Sequence, residues 1–173
     1  VETSLHLNNL NTNRLTLIPL TLEITKSLLN GNRQYIEHLG IKCDEKWPTE
    51  DTMDILPIIN NSLEQSKLPT GFEAWMIVDK TNNKIIGDIG FHGRPNEHGE
   101  VEIGFGLVKN ERGKGFGSEA LNAIMDWLSH QESVKVIQAE CLISNKPSAV
   151  ILEKAGLKEM TRDDEFIYWK MVK

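Results

Sequence analysis

Arg112-Gly113-Lys114-Gly115-Phe116-Gly117-Ser118 lies between two stretches of different period. Upstream, from Glu100 to Val108, Val101, Ile103, Phe105 and Leu107 alternate with Glu102, Gly104 and Gly106, as in a half-buried strand. Downstream, Phe116, Ala120, Leu121, Ile124 and Leu128 recur at helical spacing up to about Gln131. A glycine-rich turn from a strand into an amphipathic helix favours an anion. Glycines let the backbone approach a ligand, the first helical turn presents unpaired N–H groups, and the positive end of the macrodipole attracts negative charge. A pyrophosphate is the expected guest, with Arg112 and Lys114 adding two cations beside the amides.

Known spacings narrow the ligand. A P-loop needs Gly-x-x-x-x-Gly-Lys followed by Ser or Thr, but Val108 occupies the first glycine's place and Gly115 follows Lys114. Gly115-Phe116-Gly117-Ser118-Glu119-Ala120 does fit the dinucleotide fingerprint, with Glu140, 20 residues beyond Ala120, as a ribose-binding acid. Against an NAD-binding oxidoreductase stand the antiparallel meander before the loop and the 33 residues left after Glu140, too few for repeated βαβ units.

Outward from the loop, the periods alternate along the chain. Arg14 to Ile18 reads as a strand ended by Pro19, and Thr21 caps a helix over Leu22, Ile24, Leu28 and Leu29 that stops at Asn30-Gly31. Asn32 to Pro69 is mostly helical, with Met53, Ile55, Leu56, Ile58, Ile59 and Leu63 as an apolar stripe that Pro57 either starts or kinks. Phe72 to Val78 and Lys84 to Phe91 form an antiparallel hairpin about Asp79 to Asn83, and Arg94-Pro95-Asn96 turns into the third strand of the meander. Val134 to Leu142 is a strand, Asn145 starts a short helix with Pro147 in its first turn and Gly156 past its end, and Leu157 to Met160 and Phe166 to Val172 are the last strands. The order predicts an α+β or mixed α/β three-layer domain.

At 173 residues one domain, 1–173, is expected. The net charge is -6 without a long block of one sign, which disfavours a nucleic-acid binder, since neutralising phosphates needs a clustered basic face. Apolar runs such as Ala74 to Val78 are far short of the roughly 20 residues of a membrane span, and Val1 to Asn11 shows no leader pattern. A cytoplasmic location is the expectation. Cys43 and Cys141 are too few for a disulfide framework and form no Cys-x-x-Cys pair, so both read as reduced thiols.

Strand, Arg112 to Gly117, helix, strand, then Asn145-Lys146-Pro147-Ser148 together resemble the GNAT superfamily of acyl-CoA-dependent N-acetyltransferases. Arg112, Gly115 and Gly117 fill its hallmark Gln/Arg-x-x-Gly-x-Gly/Ala, and Leu152 to Leu157 is similar to its second motif. Asn13 to Thr21 and Val101 to Phe105 further resemble the branch of the ribosomal-protein alanine N-acetyltransferases. The resemblance implies a GNAT-like acyl-CoA N-acyltransferase fold, a central mixed, mostly antiparallel twisted sheet flanked by helices.

By that resemblance the acetyl-CoA pyrophosphate rests on Arg112, Gly113, Lys114, Gly115, Phe116, Gly117 and Ser118. The pantetheine pairs with Leu107 and Val108, one of whose N–H groups faces the thioester oxygen, and Asn145 and Ser148 lie opposite. Asn145 also reads as a plain helix N-cap. Transfer in this family is direct, so a base is needed. On an unbulged strand Glu102 shares the face of Gly104 and Gly106, as base or as anchor of a substrate ammonium, and His92 ends the neighbouring strand as a second substrate contact or a surface group. Leu152 stands where many relatives carry a tyrosine acid, which leaves water or Ser148 to protonate the thiolate. Tyr35, Tyr168 and the four tryptophans read first as packing or groove wall, and Cys141 as a small apolar residue.

The leading function is acetyl transfer from acetyl-CoA to a primary amine, a protein N-terminal residue or a small amine, with no metal, nucleic acid or membrane partner. Two alternatives are a non-catalytic acyl-CoA sensor or scaffold of the same fold, motivated by Leu152, and the NAD-dependent oxidoreductase. Assembly is open, a homodimer being the commonest form.

Overall fold

The computed structural model describes residues 7–173, so the first six residues of the stretch read as lacking a leader lie outside the described residues. The elements in order are β1 (Leu10–Asn11), β2 (Leu15–Pro19), α1 (Leu22–Leu29), α2 (Gln34–His38), β3 (Lys42–Cys43), α3 (Glu50–Ser66), β4 (Ala74–Asp79) and β5 (Lys84–Phe91). They continue as β6 (Glu100–Leu107), a 3-10 turn (Lys109–Glu111), α4 (Phe116–Ser129), β7 (Val136–Leu142), α5 (Lys146–Lys154), β8 (Lys158–Arg162) and β9 (Phe166–Val172).

One sheet runs β1-β2-β4-β5-β6-β7-β9-β8, with β3 attached beside β5. Its pairings are antiparallel except β6 with β7 and β3 with β5. The mixed, mostly antiparallel three-layer architecture is therefore the one expected. The two faces are told apart by their contacts. Trp127 of α4 packs on Trp75 of β4 at 5.6 Å between ring centroids, whereas Thr52 of α3 bonds Asp88 of β5, one residue away from the cross-strand partner of Trp75. Strand side chains alternate faces, so α4 and α3 cover opposite sides. α1 lies along α3, with Lys26 Nζ 3.0 Å from Glu64 Oε1.

Local chemistry sets the boundaries. Thr21 Oγ1 accepts from Ile24 N at 3.2 Å and caps α1, Thr49 does the same for α3, and Asn145 for α5. Pro57 neither starts α3 nor ends it: it sits inside the helix, on the exposed side where the carbonyl it leaves unpaired can turn to water. The core stripe of α3 is Thr52, Leu56, Ile59 and Leu63; Met53 and Ile58 of the expected stripe face outward, Ile58 being 71% exposed. β4 begins at Ala74 rather than Phe72, because Gly71 and Phe72 turn to pack on Trp127.

β6 is held closely by β5. A Cβ on Gly87, the partner of Leu107, would stand 2.2 Å from Gly106 O, so only glycine lets the strands meet. Gly87→Ala should lower stability by about 1–3 kcal/mol, the usual cost of overpacking, seen as a lower urea midpoint with an unchanged slope.

Candidate active site

β6 has two neighbours and parts from one of them. It pairs with β5 from Gly87↔Leu107 to Phe91↔Ile103, but with β7 only from Glu100↔Val136 to Ile103↔Ala139. His92 N donates to Glu102 O at 3.0 Å and Val108 N to Ile86 O at 2.9 Å, two rungs of one regular antiparallel ladder. In such a ladder the even-numbered residues of β6 bond β5, and Phe105 and Leu107 aim their N–H groups at the other edge, where β7 has already diverged. Of the two amides expected to face a thioester, that of Val108 is thus committed to Ile86, and Val108 itself is buried past the strand end. This corrects the sequence expectation and leaves Leu107. The Leu107 carbonyl accepts from Arg112 Nε at 3.1 Å.

A cavity of about 130 Å³ fills the gap between the diverging strands. Gly104 and Phe105 form one wall, Glu140 and Cys141 the other, and Asn145, Ser148 and Leu152 the floor. Asn145 Oδ1 accepts from Ser148 N at 3.2 Å, so it caps α5 while lining the gap. Leu152 is 1% exposed and fills the tyrosine's place with packing. Cys141 is buried, its Sγ 3.3 Å from Trp169 Nε1. Tyr168 is engaged elsewhere: its hydroxyl donates to Asp163 Oδ2 at 2.7 Å, a bond that pushes its pKa up to about 12. Tyr35 lies in α2, outside both cavities.

Beyond the end of β6 comes the glycine turn. Gly115 is the N-cap of α4 in the left-handed region, φ 84°, with no side-chain cap on the first amides of the helix, those of Phe116, Gly117 and Ser118. Gly113 has open space where a Cβ would stand, and so does Gly106. Lys114 Nζ is held by Glu111 Oε2 at 2.9 Å, so of the two loop cations one is partly neutralised. The Phe116 ring is buried beneath Arg14, whose guanidinium carbon lies 4.3 Å from the ring centroid. Arg14 Nε donates to Glu119 Oε1 at 2.9 Å and Nη1 to Lys114 O at 2.9 Å, tying β2 to the turn. Burial alone would raise the Glu119 pKa, but bonds from Thr12 Oγ1 and from Arg14 outweigh it and hold the carboxyl below its ordinary value.

On the α3 side of the sheet a second cleft, about 210 Å³, opens against Gly104, Phe105, Gly106 and Leu107. Its walls include Asp51, Thr52 and Ile55 of α3, Asp88 and Phe91 of β5, His92 and Arg112. The ladder of β6 carries no bulge, so Glu102, Gly104 and Gly106 do share this face. Glu102 stands at its rim, partly exposed, with Oε1 3.3 Å from His92 Nδ1; the two residues singled out separately in the sequence form a pair. Sequence reasoning missed Asp88 and Thr52 and read Trp47 only as packing or groove wall. Asp88 Oδ2 accepts from Trp47 Nε1 at 2.9 Å and from Thr52 Oγ1 at 2.5 Å, and burial pushes the carboxyl above the ordinary range against those bonds, with Asp51 adding to the rise. The available signal was one charge in the otherwise apolar run Ile85-Ile86-Gly87-Asp88-Ile89-Gly90-Phe91. Among the described residues no group of His, Cys, Asp and Glu is arranged to hold a metal, and no helix is long and apolar enough to cross a membrane.

A sheet split between two parallel strands above a glycine turn defines the class, and comparison with known proteins agrees. Residues 14–158 match the family described as Acetyltransferase (GNAT) domain, and the chain belongs to that acetyltransferase family. It is 34% identical over 160 residues to the uncharacterized N-acetyltransferase YjdG of Bacillus subtilis (strain 168), covering 92% of this chain and 95% of that protein. The fold is shared with the ribosomal-protein-S5-alanine acetyltransferase of Vibrio fischeri (TM-score 0.67, 17% identity, 95% of this chain and 96% of that one). It is shared equally with RimL, a ribosomal L7/L12 alpha-N-protein acetyltransferase solved with coenzyme A (TM-score 0.67, 15% identity, 95% and 98%). Family membership removes the NAD-dependent oxidoreductase.

The depressed Glu119 pKa contributes stability above the unfolded value of about 4.3 and loses it as pH falls through the folded value. Glu119→Gln should therefore cost about 1–3 kcal/mol at pH 7 and progressively less as the pH is lowered, read from unfolding curves of both proteins across the acid range.

Proposed function

We propose that the protein transfers the acetyl group of acetyl-CoA directly to a primary amine, as a single N-acetyltransferase domain. The carrying observation is the divergence of β6 from β7 beyond Ile103↔Ala139, directly before the capless first turn of α4. Strand edge, gap and turn fit the donor in sequence. The amides of Phe116, Gly117 and Ser118, with those of the loop from Arg112 to Gly115, receive the pyrophosphate. The unpaired edge at Phe105 and Leu107 accepts the pantetheine amides as an added strand would, and Asn145 and Ser148 flank it. RimL, of the same fold, was solved with coenzyme A.

The Leu107 N–H donates to the thioester oxygen as negative charge develops on attack, which is where a fixed donor lowers the barrier most. Ser148 Oγ, on the floor of the gap, supplies a proton to the departing thiolate; with a thiol pKa near 8.5, little acid assistance is required. Glu102 and His92 at the mouth of the second cleft receive the acceptor's ammonium and pass its proton outward. A protein N-terminal residue of the ribosomal-protein alanine type is the first acceptor and a small amine the second, because the open face beside Glu102 suits an extended chain end.

Calorimetric titration should find micromolar acetyl-CoA and CoA binding and none of NAD; failure to bind acetyl-CoA would end the reading. Gly115→Val should raise the acetyl-CoA Kd at least tenfold, since the side chain must adopt φ 84° with its Cβ 3.2 Å from Arg14 Nη2. Glu102→Gln should leave that Kd unchanged and lower kcat/KM for an alanine-initial peptide by roughly 10- to 100-fold, a charged hydrogen bond's contribution.

A further inference from the structure

Asp88 is the cross-strand neighbour of Gly106, on the face that lines the acceptor cleft. With no side chain on Gly106, nothing on β6 stands between that carboxyl and the strand edge whose Leu107 amide faces the thioester oxygen in the function proposed above. Oδ2 is fixed by Trp47 and Thr52. These two donors come from the segment before α3 and from its first turn, and both take Oδ2, which leaves Oδ1 of this cleft-lining carboxyl without either of them. Glu102 lies four residues further along β6, at the rim, and does not line this cleft. We propose that Asp88 is the group that binds the acceptor amine inside the cleft and takes its proton.

The step balances without a further reactant, and it rests on the acetyl-transfer reading. The ammonium loses one proton to solvent through the Glu102–His92 mouth, and the neutral amine donates a hydrogen bond to Asp88 Oδ1. Its lone pair forms the N–C bond to the thioester carbonyl, the second proton moves to Asp88, and the C–S bonding pair leaves with sulfur as thiolate, which Ser148 or water protonates. Asp88 then returns its proton to solvent before the next turnover. The charged and titratable groups that face Asp88 are consistent with a cation's entry. Asp51 comes from α3 and His92 from the end of β5; Glu73 is already engaged by Thr70, and Arg112, the one cation, is turned to the Leu107 carbonyl.

A carboxyl that burial makes harder to ionise is a better base than an exposed one, and it destabilises the fold when ionised. The sign follows from linkage: with a folded pKa above the unfolded value, stability is full below about pH 3.9 and is lost as pH rises through the folded pKa. The test is Asp88→Asn, which preserves an oxygen for Trp47 and Thr52. With acetyl-CoA and two probes, an alanine-initial hexapeptide and n-butylamine, kcat/KM should fall on the order of 10²- to 10³-fold. The acetyl-CoA Kd should be unchanged, and the melting temperature at pH 7.5 equal to or above that of the parent. A fall in melting temperature with rates within threefold would make Asp88 structural and overturn the assignment. A second readout needs no turnover. In the CoA-bound protein, n-butylammonium should shift the Trp47 indole N–H resonance, and the Asn variant should lose the shift. An unmoved resonance in the parent overturns the amine site, whereas a moved one with no acetylation of either probe upholds it and counts against the acetyl-transfer reading instead.

Discussion

The four residue pairs from Glu100↔Val136 to Ile103↔Ala139 join two halves of the sheet. On one side β6 is committed along its length to β5, through a ladder that reaches from His92 and Glu102 to Ile86 and Val108. On the other, β7 is committed along its length to β9, from Val136↔Val172 to Leu142↔Phe166. Each half has its own twist, and neighbouring strands rotate by roughly 20–25° per step. Because both strands are held on their outer edges, they cannot follow one another past Ile103 and Ala139. The gap is what remains, and its unpaired N–H and C=O groups are an affinity for an extended amide-bearing ligand that the fold produces without any special residue.

The turn that faces the gap depends on a contact from the other end of the chain. In the proposed function the bare amides of the first turn of α4 hold an anion, yet Glu119 in the same turn carries a negative charge. Arg14 resolves the conflict by pairing with Glu119, covering Phe116 and holding the Lys114 carbonyl, so the acid serves to anchor β2 rather than to repel a phosphate. Without the guanidinium, the macrodipole's contribution of about 0.3–1 kcal/mol would be opposed by a nearby carboxylate of similar influence. The motif that contains Arg112 is therefore supported by an arginine 98 positions upstream.

How much of this was legible in the sequence follows the range of the interactions. Period-two alternation in Glu100 to Leu107 and the helical spacing after Gly115 report local structure, and the elements they predict are present with shifts of one or two residues at their ends. The glycine turn was readable because a left-handed cap and a close backbone approach both demand glycine. The short parallel β3, by contrast, has two residues and no period, and its pairing with Lys84 and Ile85 arises from tertiary placement. Ile58 misled for a related reason: a helical stripe with six apolar positions is wider than the face that α3 has available. Val108 continues the alternation without interruption, and nothing local marks that its amide bonds Ile86. Asp88 showed only as a lone charge in an apolar run, because its significance lies in Trp47 and Thr52, 41 and 36 positions away.

The environment of Asp88 is a contest among three effects. It sits near the amino end of α3, whose macrodipole and Thr52 hydroxyl both favour the carboxylate. Trp47 adds a second donor. A helix end and two neutral hydrogen bonds together offer roughly 2–4 kcal/mol, while removing a carboxylate from water costs several. Asp51, on the same first turn, offsets part of the dipole's benefit. Desolvation therefore wins, and the carboxyl ends above its ordinary pKa although three partners work to lower it. A carboxyl with a purely structural task would be replaced at little cost by an amide in the same bonds, relieving that penalty. That an acid rather than an amide stands here, beside Gly106 on the wall of the cleft, is the physical argument for the chemical role proposed above.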